Sequence, residues 1–367
     1  MNLYLLQGII GWMRMALDDL ELISKIDKSS MIDTITQFPE QIKEIVDIIK
    51  SSSLDSVFKI DNIIISGMGG SAISGDIVQS FLRDRYEIPV YVTREYNLPK
   101  WANKNTLVLS QSYSGNTEET LSTFKHAHQK KCKIIAISSG GKLQEYCEKR
   151  GVPHIKIPSG FQPRAATAYL LFSPLLALEK IGIMHNILGT EIEEAIIELK
   201  EFRDCNGKEV PEKDNLSKQL ATKLFNTIPQ VYGWEIYAPI AKRWCTQFNE
   251  NSKIIACYDV VSECNHNDIV GWSQDPEKSK QFTCVLFRDK KIESIHMAKR
   301  LDFMKTLFEG AASNVLEIPI IGKKTLSKMM YAMYLGDFVS CYLAILRKID
   351  PTPVDVIVEL KKTLSEI

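Results

Sequence analysis

The sequence predicts an α/β fold made of two doubly wound parallel-sheet domains, and three observations carry that expectation. Short apolar runs of strand length alternate with stretches of helical periodicity from Asp61 to Ile181, the pattern of βαβ units. A charge-rich seam over residues 185–220 interrupts the rhythm, which restarts at Pro229. A chain of 367 residues is also too long for one ordinary core.

The elements follow in order. Residues 28–52 place Ile32, Ile35, Phe38, Ile42, Ile45, Ile48 and Ile49 at helical spacing. Asp61–Ile65 is a short buried-strand run that ends in the turn Ser66-Gly67-Met68-Gly69-Gly70-Ser71-Ala72, and a helix follows from about Ile73 to Arg83. Further strands are expected at Pro89–Thr93, Thr106–Leu109, Lys133–Ser138 and His154–Pro158, with a helix over Glu118–His128 and a long apolar helix over Pro163–Ile181. The seam holds a connecting helix and a loop near Asn206-Gly207. Beyond it come strands Pro229–Gly233, Phe282–Phe287 and Val315–Ile320, alternating with helices Tyr237–Phe248 and Ile295–Leu307. Helices over Leu326–Ile349 and Val354–Leu364 close the chain.

Composition narrows the function classes. Lysine plus arginine number 45 and aspartate plus glutamate 45, so no basic excess argues for nucleic acid and no basic run for a membrane surface. The eight cysteines form no CxxC pair and read as buried thiols of a reducing, cytoplasmic compartment, with disulfides in a hyperthermophile as the alternative. Met1–Leu17 is mostly apolar, with no positive region ahead of the apolar run and no A-x-A-like site after it. It is short for a membrane span and reads as a helical extension, or as sequence ahead of a start at Met13 or Met15.

Two loops carry the chemistry. In Ser110-Gln111-Ser112-Tyr113-Ser114-Gly115-Asn116-Thr117, a strand passes through a tight turn into a helix start. Ser112, Ser114 and Thr117 there set three hydroxyls beside unpaired helix N–H groups, the donors a phosphate needs without any lysine. The competing reading is an ordinary N-cap, although Thr117 and Thr120 do not make a capping box. The earlier turn, Gly67 to Ala72, has the G-x-G-x-x-A spacing of a dinucleotide loop, with Glu95 placed as a ribose acid. Ser71, and a second hydroxyl-bearing loop after the third strand, fit a monophosphate better. Glu250 lies in Asn249-Glu250-Asn251 just past an amphipathic helix, and His266 between Asn265 and Asn267 in a polar stretch. Either could be a plain surface residue. Arg164, at the mouth of an apolar helix, could pair with an anion or snorkel from the helix end. His126, His128, His154, His185 and His296 read as solvated, with no metal spacing.

Taken together, Gly67–Asp76, Ser112–Thr120, Gln162-Pro163-Arg164-Ala165-Ala166, Asn249-Glu250-Asn251 and Asn265-His266-Asn267 resemble the bifunctional phosphoglucose/phosphomannose isomerases, which are built of two sugar-isomerase (SIS) domains of flavodoxin-like type. The resemblance runs from Ser24 to the C-terminus and implies an extension over 1–23, a first SIS domain over 24–190 with the phosphate loops, and a second over 191–367. It implies that Gly69, Gly70, Ser71, Ser112, Ser114 and Thr117 hold the sugar phosphate, and that Glu250 moves the proton between C1 and C2. It further implies that Arg164 stabilises the enediolate, and that His266, reaching in from a neighbouring subunit of a homodimer with a shared active site, assists ring opening. A C-terminal lysine assists as well, Lys361 by preference with Lys362 open, and Thr352 is the threonine linked to acceptance of the mannose epimer.

These residue types suit the reaction. Aldose–ketose isomerisation needs one carboxylate to carry a proton between adjacent carbons, a proton-transfer group for the ring, and a cation for enediolate charge. Neither a metal nor a cofactor is expected, and the only partners expected are the sugar phosphate and a second copy, with no nucleic acid and no membrane. The alternative is a non-catalytic sugar-phosphate sensor of the SIS type, which would have no need of Glu250 and His266. An aminosugar synthase would need an added glutaminase domain for which the chain is too short.

Overall fold

The computed structural model describes residues 15–54, 59–184 and 188–364. The apolar stretch Met1–Leu17 therefore falls largely outside the described residues, as does His185. The chain folds as two compact units, each around its own parallel sheet. One takes in Gln37–Lys200 and Gly322–Met330; the other takes in Glu201–Ile321 and, of the described residues, 15–36 and 331–364. The chain crosses between the units four times, and two of the crossings fall inside helices, Leu188–Asn206 and Thr325–Leu346.

In the first unit, β1 (Asn62–Ser66), β2 (Val90–Thr93), β3 (Thr106–Gln111), β4 (Lys133–Ser138) and β5 (His154–Lys156) form a parallel sheet in the order β2-β1-β3-β4-β5. Ile63, Ile64 and Ile65 are buried, as are Leu107, Val108 and Leu109, because helices cover both faces. One core cluster joins Ile64, Val108 and Ala136 to Phe124 and Leu143 of the covering helices. The chain adds β2 on one side of β1 and then returns to add β3 on the other, so β1 and β3 flank a topological switch point, where doubly wound sheets open a crevice for ligands.

Helix boundaries depart from the sequence expectation where proline or tertiary packing intervenes. The 28–52 stretch is two helices, Met31–Thr36 and Phe38–Ser51, with Pro39 in the opening turn of the second, where a missing N–H costs nothing. Helix Gly69–Leu82 begins four residues before Ile73, inside the glycine turn itself. The stretch at Pro163 is a short 3-10 turn, Pro163–Ala165, followed by helix Thr167–Lys180.

In the second unit, β6 (Ile228–Gly233), β7 (Cys257–Val260), β8 (Phe282–Arg288) and β9 (Asn314–Pro319) are parallel in the order β7-β6-β8-β9. Strand β7 has no counterpart in the sequence reading. It is a four-residue edge strand with Tyr258 41% exposed, so it lacks a continuous apolar run. Helix Thr325–Leu346 is long and apolar enough to cross a membrane, yet its most apolar stretch is entirely buried, as in a core helix. All eight cysteines are free thiols, five of them buried, and the described residues contain no metal-holding cluster of histidine, cysteine and carboxylates. Two histidines are less solvated than their sequence context suggests. His126 is half-buried and its Nδ1 accepts the Leu98 N–H at 3.1 Å, while His154 Nε2 pairs with Ser138 Oγ at 2.8 Å. His128 and His296 are exposed.

Candidate active site

Strand β1 ends at Ser66, directly opposite Ser110 of β3, so the two hydroxyl-bearing loops leave adjacent strands at the same end of the sheet. The glycine turn is tight for steric reasons. A Cβ on Gly67 would stand 2.8 Å from that of Ser71, and Gly69 has a φ of +51°. Met68 caps the helix by backbone alone, and its carbonyl accepts the Ser71 and Ala72 N–H groups at 3.0 and 3.4 Å. Gly70 lies against another backbone: a Cβ there would be 2.9 Å from the Pro163 carbonyl oxygen and 3.4 Å from the Arg164 nitrogen. The glycine turn and the Pro163–Ala165 turn therefore meet, which brings Gly69, Gly70 and Ser71 beside Arg164 in one unit.

The second loop resolves the choice between cap and cluster in a particular way. Thr117 occupies the backbone N-cap position of helix Glu118–Gln129, but its side chain makes no cap hydrogen bond. Its hydroxyl pairs with Ser112 Oγ at 2.8 Å, and the Thr117 N–H donates to the same oxygen at 3.4 Å. Ser112 is buried, Thr117 half-buried and Ser114 exposed, and Ser114 Oγ accepts the Asn116 N–H at 3.3 Å. The turn needs Gly115, whose φ is +68° and whose carbonyl accepts the Leu143 N–H at 2.9 Å. The helix opening is thus left with its amide donors and dipole uncovered by side-chain caps, beside a pair of hydroxyls.

Three residues that sequence reading passed over hold this arrangement. Gln111 Nε2 donates to the Ser71 carbonyl at 3.2 Å and so ties the two loops. Asn116 Oδ1 accepts the Lys142 N–H at 3.1 Å, and Gly141 sits where a Cβ would be 2.5 Å from the Ser114 carbonyl. For Gly141 the signal was present in the pair Gly140-Gly141 two residues after β4, since paired glycines mark positive φ or the close approach of another backbone, and Gly141 shows both.

Arg164 is only 3% exposed, so it does not snorkel into solvent, and its carbonyl accepts the Thr167 hydroxyl at 2.8 Å. The remaining residues expected at the site belong to the second unit. Helix Ala238–Gln247 runs into a single π turn, Phe248–Ser252, that carries Glu250 half-exposed between exposed Asn249 and buried Asn251. Such wide turns are concentrated at functional sites. His266 is exposed on a turn fixed by its neighbours: Asn265 Oδ1 accepts from Arg300 at 3.0 Å, and Asn267 Nδ2 donates to Glu263 at 2.9 Å. The Thr352 N–H donates to Asp350 Oδ1 at 2.9 Å. Lys361 and Lys362 are exposed on helix Asp355–Leu364, which buries none of its residues.

Residues 213–364 match the family described as the bacterial phospho-glucose isomerase C-terminal SIS domain. A bifunctional phosphoglucose/phosphomannose isomerase of Caldicellulosiruptor bescii is 43% identical over 92% of this chain and 99% of its own length. One of Thermoplasma acidophilum is 34% identical over 90% of this chain and 98% of its own. Among solved structures, a hypothetical protein of Thermus thermophilus superposes with a TM-score of 0.69 at 15% identity, covering 98% of this chain and 94% of that one.

Proposed function

The chain belongs to the bifunctional phosphoglucose/phosphomannose isomerase family, and from that premise we propose that it interconverts glucose 6-phosphate and mannose 6-phosphate with fructose 6-phosphate through an enediolate. The observation that carries the phosphate end of this reading is the Ser112–Thr117 hydroxyl pair at an uncapped helix start, beside the Gly70–Ser71 turn at the switch point of the sheet. Gly69, Gly70, Ser71, Ser112, Ser114 and Thr117 bind the phosphate with backbone and hydroxyl donors. Held there, the sugar spends its phosphate binding energy on orienting C1 and C2.

Glu250 takes the proton from one carbon and returns it to the other, and a planar enediolate explains how the C2 epimers converge. Arg164 offsets the enediolate charge. His266 and Lys361, or Lys362 in its place, assist ring opening by proton transfer, with His266 supplied by the partner copy of a homodimer. Thr352 leaves room for the mannose epimer. The proton transfers so written use side chains of this protein, and the reaction belongs to cytoplasmic sugar metabolism.

The test is a coupled assay of fructose 6-phosphate formation from each aldose, run on the unaltered protein and on Glu250→Gln. We expect kcat to fall by about 10²–10⁴-fold in the variant with KM little changed. Turnover retained by Glu250→Gln removes the base assignment. Absence of turnover in the unaltered protein, with sugar phosphate still bound, favours the sensor instead. An active monomer on a sizing column contradicts the shared site.

A further inference from the structure

We propose that Ser340 and Asn251 are positioning residues that set the Glu250 carboxylate in place, an inference that rests on Glu250 being the base. The π turn at Phe248–Ser252 is closed by the Lys253 N–H donating to the Phe248 carbonyl, five residues back, and Lys253 itself is left-handed with a φ of +53°. A five-residue span is rare because its backbone geometry is poorer than that of the α turn, so something outside the turn must hold it open. Here that is the Tyr331–Leu346 part of helix Thr325–Leu346, which belongs to the same unit.

The hold has three levels. Ahead of the turn, Arg243 donates to both oxygens of the buried Asp337 carboxylate, at 3.1 and 2.8 Å, and Gln247 Nε2 donates to Oδ1 at 2.8 Å. That fixes the last turn of helix Ala238–Gln247. Within the π turn, Asn251 Nδ2 donates to Ser340 Oγ at 2.9 Å, and Ser252 Oγ donates to the Ser340 carbonyl at 2.6 Å. After it, Arg347 Nε donates to the Ser252 carbonyl at 3.0 Å, and Lys253 Nζ donates to the carbonyls of Glu250 and Pro351. Asn251 and Ser252 are fully buried while Glu250 next to them is half-exposed. The two residues after Glu250 are therefore anchored to this helix, while Glu250 itself stays half-exposed.

Ser340 is the pivot because its hydroxyl is used twice: it donates to the Asp337 carbonyl at 2.8 Å and accepts from Asn251. Removing it leaves the Ser252 contact to the Ser340 carbonyl in place but deprives the Asn251 amide of that acceptor. Closing the widened turn toward an α turn would rotate the residues beyond it by about 100° around the helix axis. Proton transfer does not tolerate such movement, since a misplacement of about 1 Å can cost 10²-fold in rate.

The test uses full-length Ser340→Ala, Ser340→Thr and Glu250→Gln, assayed well below their unfolding temperatures. The readouts are steady-state kinetics on fructose 6-phosphate and proton-for-deuterium exchange of the substrate in D2O, followed by NMR. We expect Ser340→Ala to lose about tenfold or more in kcat and in exchange rate with KM within about twofold, and Ser340→Thr to recover most of the loss. A purely structural contact would lower thermal stability and leave kcat intact. If Ser340→Ala keeps kcat within about twofold while Glu250→Gln is inactive, or if only KM changes, the positioning role is overturned and the base assignment stands. If Glu250→Gln keeps turnover, both are overturned. Should Ser340→Ala not fold, Asn251→Ala removes the same hydrogen bond from its other end and is read by the same criteria.

Discussion

Replacing Gly115 with alanine asks the proposed phosphate loop to accept one carbon atom where a second backbone already stands. The new Cβ would lie 1.7 Å from the Gly140 carbonyl oxygen and 2.7 Å from its carbon. Reaching a tolerable separation of about 3.2 Å requires a movement of about 1.5 Å, far beyond what close-packed interiors absorb by side-chain adjustment. No flexible side chain can yield, because both partners are main chain. The movement strains the Leu143 N–H to Gly115 carbonyl bond of 2.9 Å and the Lys142 N–H to Asn116 bond of 3.1 Å. A left-handed φ of +68° costs an L-residue about 1–2 kcal/mol, and two weakened hydrogen bonds cost about 1 kcal/mol each. A loss of about 3–4 kcal/mol in stability follows. Ser112 and Thr117, whose hydroxyls pair at 2.8 Å across this turn, move apart. A misplacement of about 1 Å then lowers kcat/KM on the order of 100-fold, chiefly through KM. Gly151 supplies the control: its φ is +61°, but nothing lies within 4 Å of its would-be Cβ, so Gly151→Ala carries only the backbone cost. Urea unfolding and KM for fructose 6-phosphate are measured on both variants. If Gly115→Ala is no less stable than Gly151→Ala and keeps its KM, the account of the loop is wrong.

Three further outcomes are expected. Ser112→Ala and Thr117→Val each remove a hydroxyl worth about 1.5–3 kcal/mol to a charged ligand, so KM for fructose 6-phosphate rises by roughly ten- to a hundredfold with kcat little changed; a fall in kcat at constant KM would speak against a phosphate role. Burial holds the His154 imidazole below its ordinary range, with Lys156 adding to the effect and Glu148 opposing it. The unfolded chain therefore binds this proton first as pH falls. The stability associated with neutral His154 is fully present above about pH 6.5 and is lost as pH drops toward the folded value, and thermal melts at about pH 7.5 and 5.5 should show His154→Gln less acid-sensitive than the parent. Gly336→Ala would press a Cβ to 2.3 Å from Trp244 Nε1, a buried indole that donates to the Ala332 carbonyl at 2.8 Å; denaturant titration should find it about 1–3 kcal/mol less stable, or more if that bond is lost.

Much of the fold was legible because its signals are local. The isoleucine run at 63–65 and the Leu107–Leu109 run announce buried parallel strands by their continuous apolarity. The glycines and hydroxyls after them announce tight turns into helix starts. Strand β7 was not legible, since four half-exposed or exposed residues at a sheet edge carry no periodicity to read. The half-burial of His126 and His154 was hidden for a related reason: their partners, Leu98 and Ser138, are 28 and 16 residues away.

What the sequence by itself determined is the inventory: which stretches become strands, which turns require glycine, and which hydroxyls and carboxylates stand in them. Those outcomes depend on backbone sterics and on side-chain period within a few residues. Tertiary structure alone decided how the inventory is used. The pairing of β1 with β3 on the side away from β2 set Ser66 against Ser110 and so placed two separate loops at one switch point. The meeting of Gly70 with Pro163 joined a third. The π turn that presents Glu250 is held by Ser340, 89 residues from Asn251, and no local propensity could have specified a turn whose geometry is stabilised from another helix.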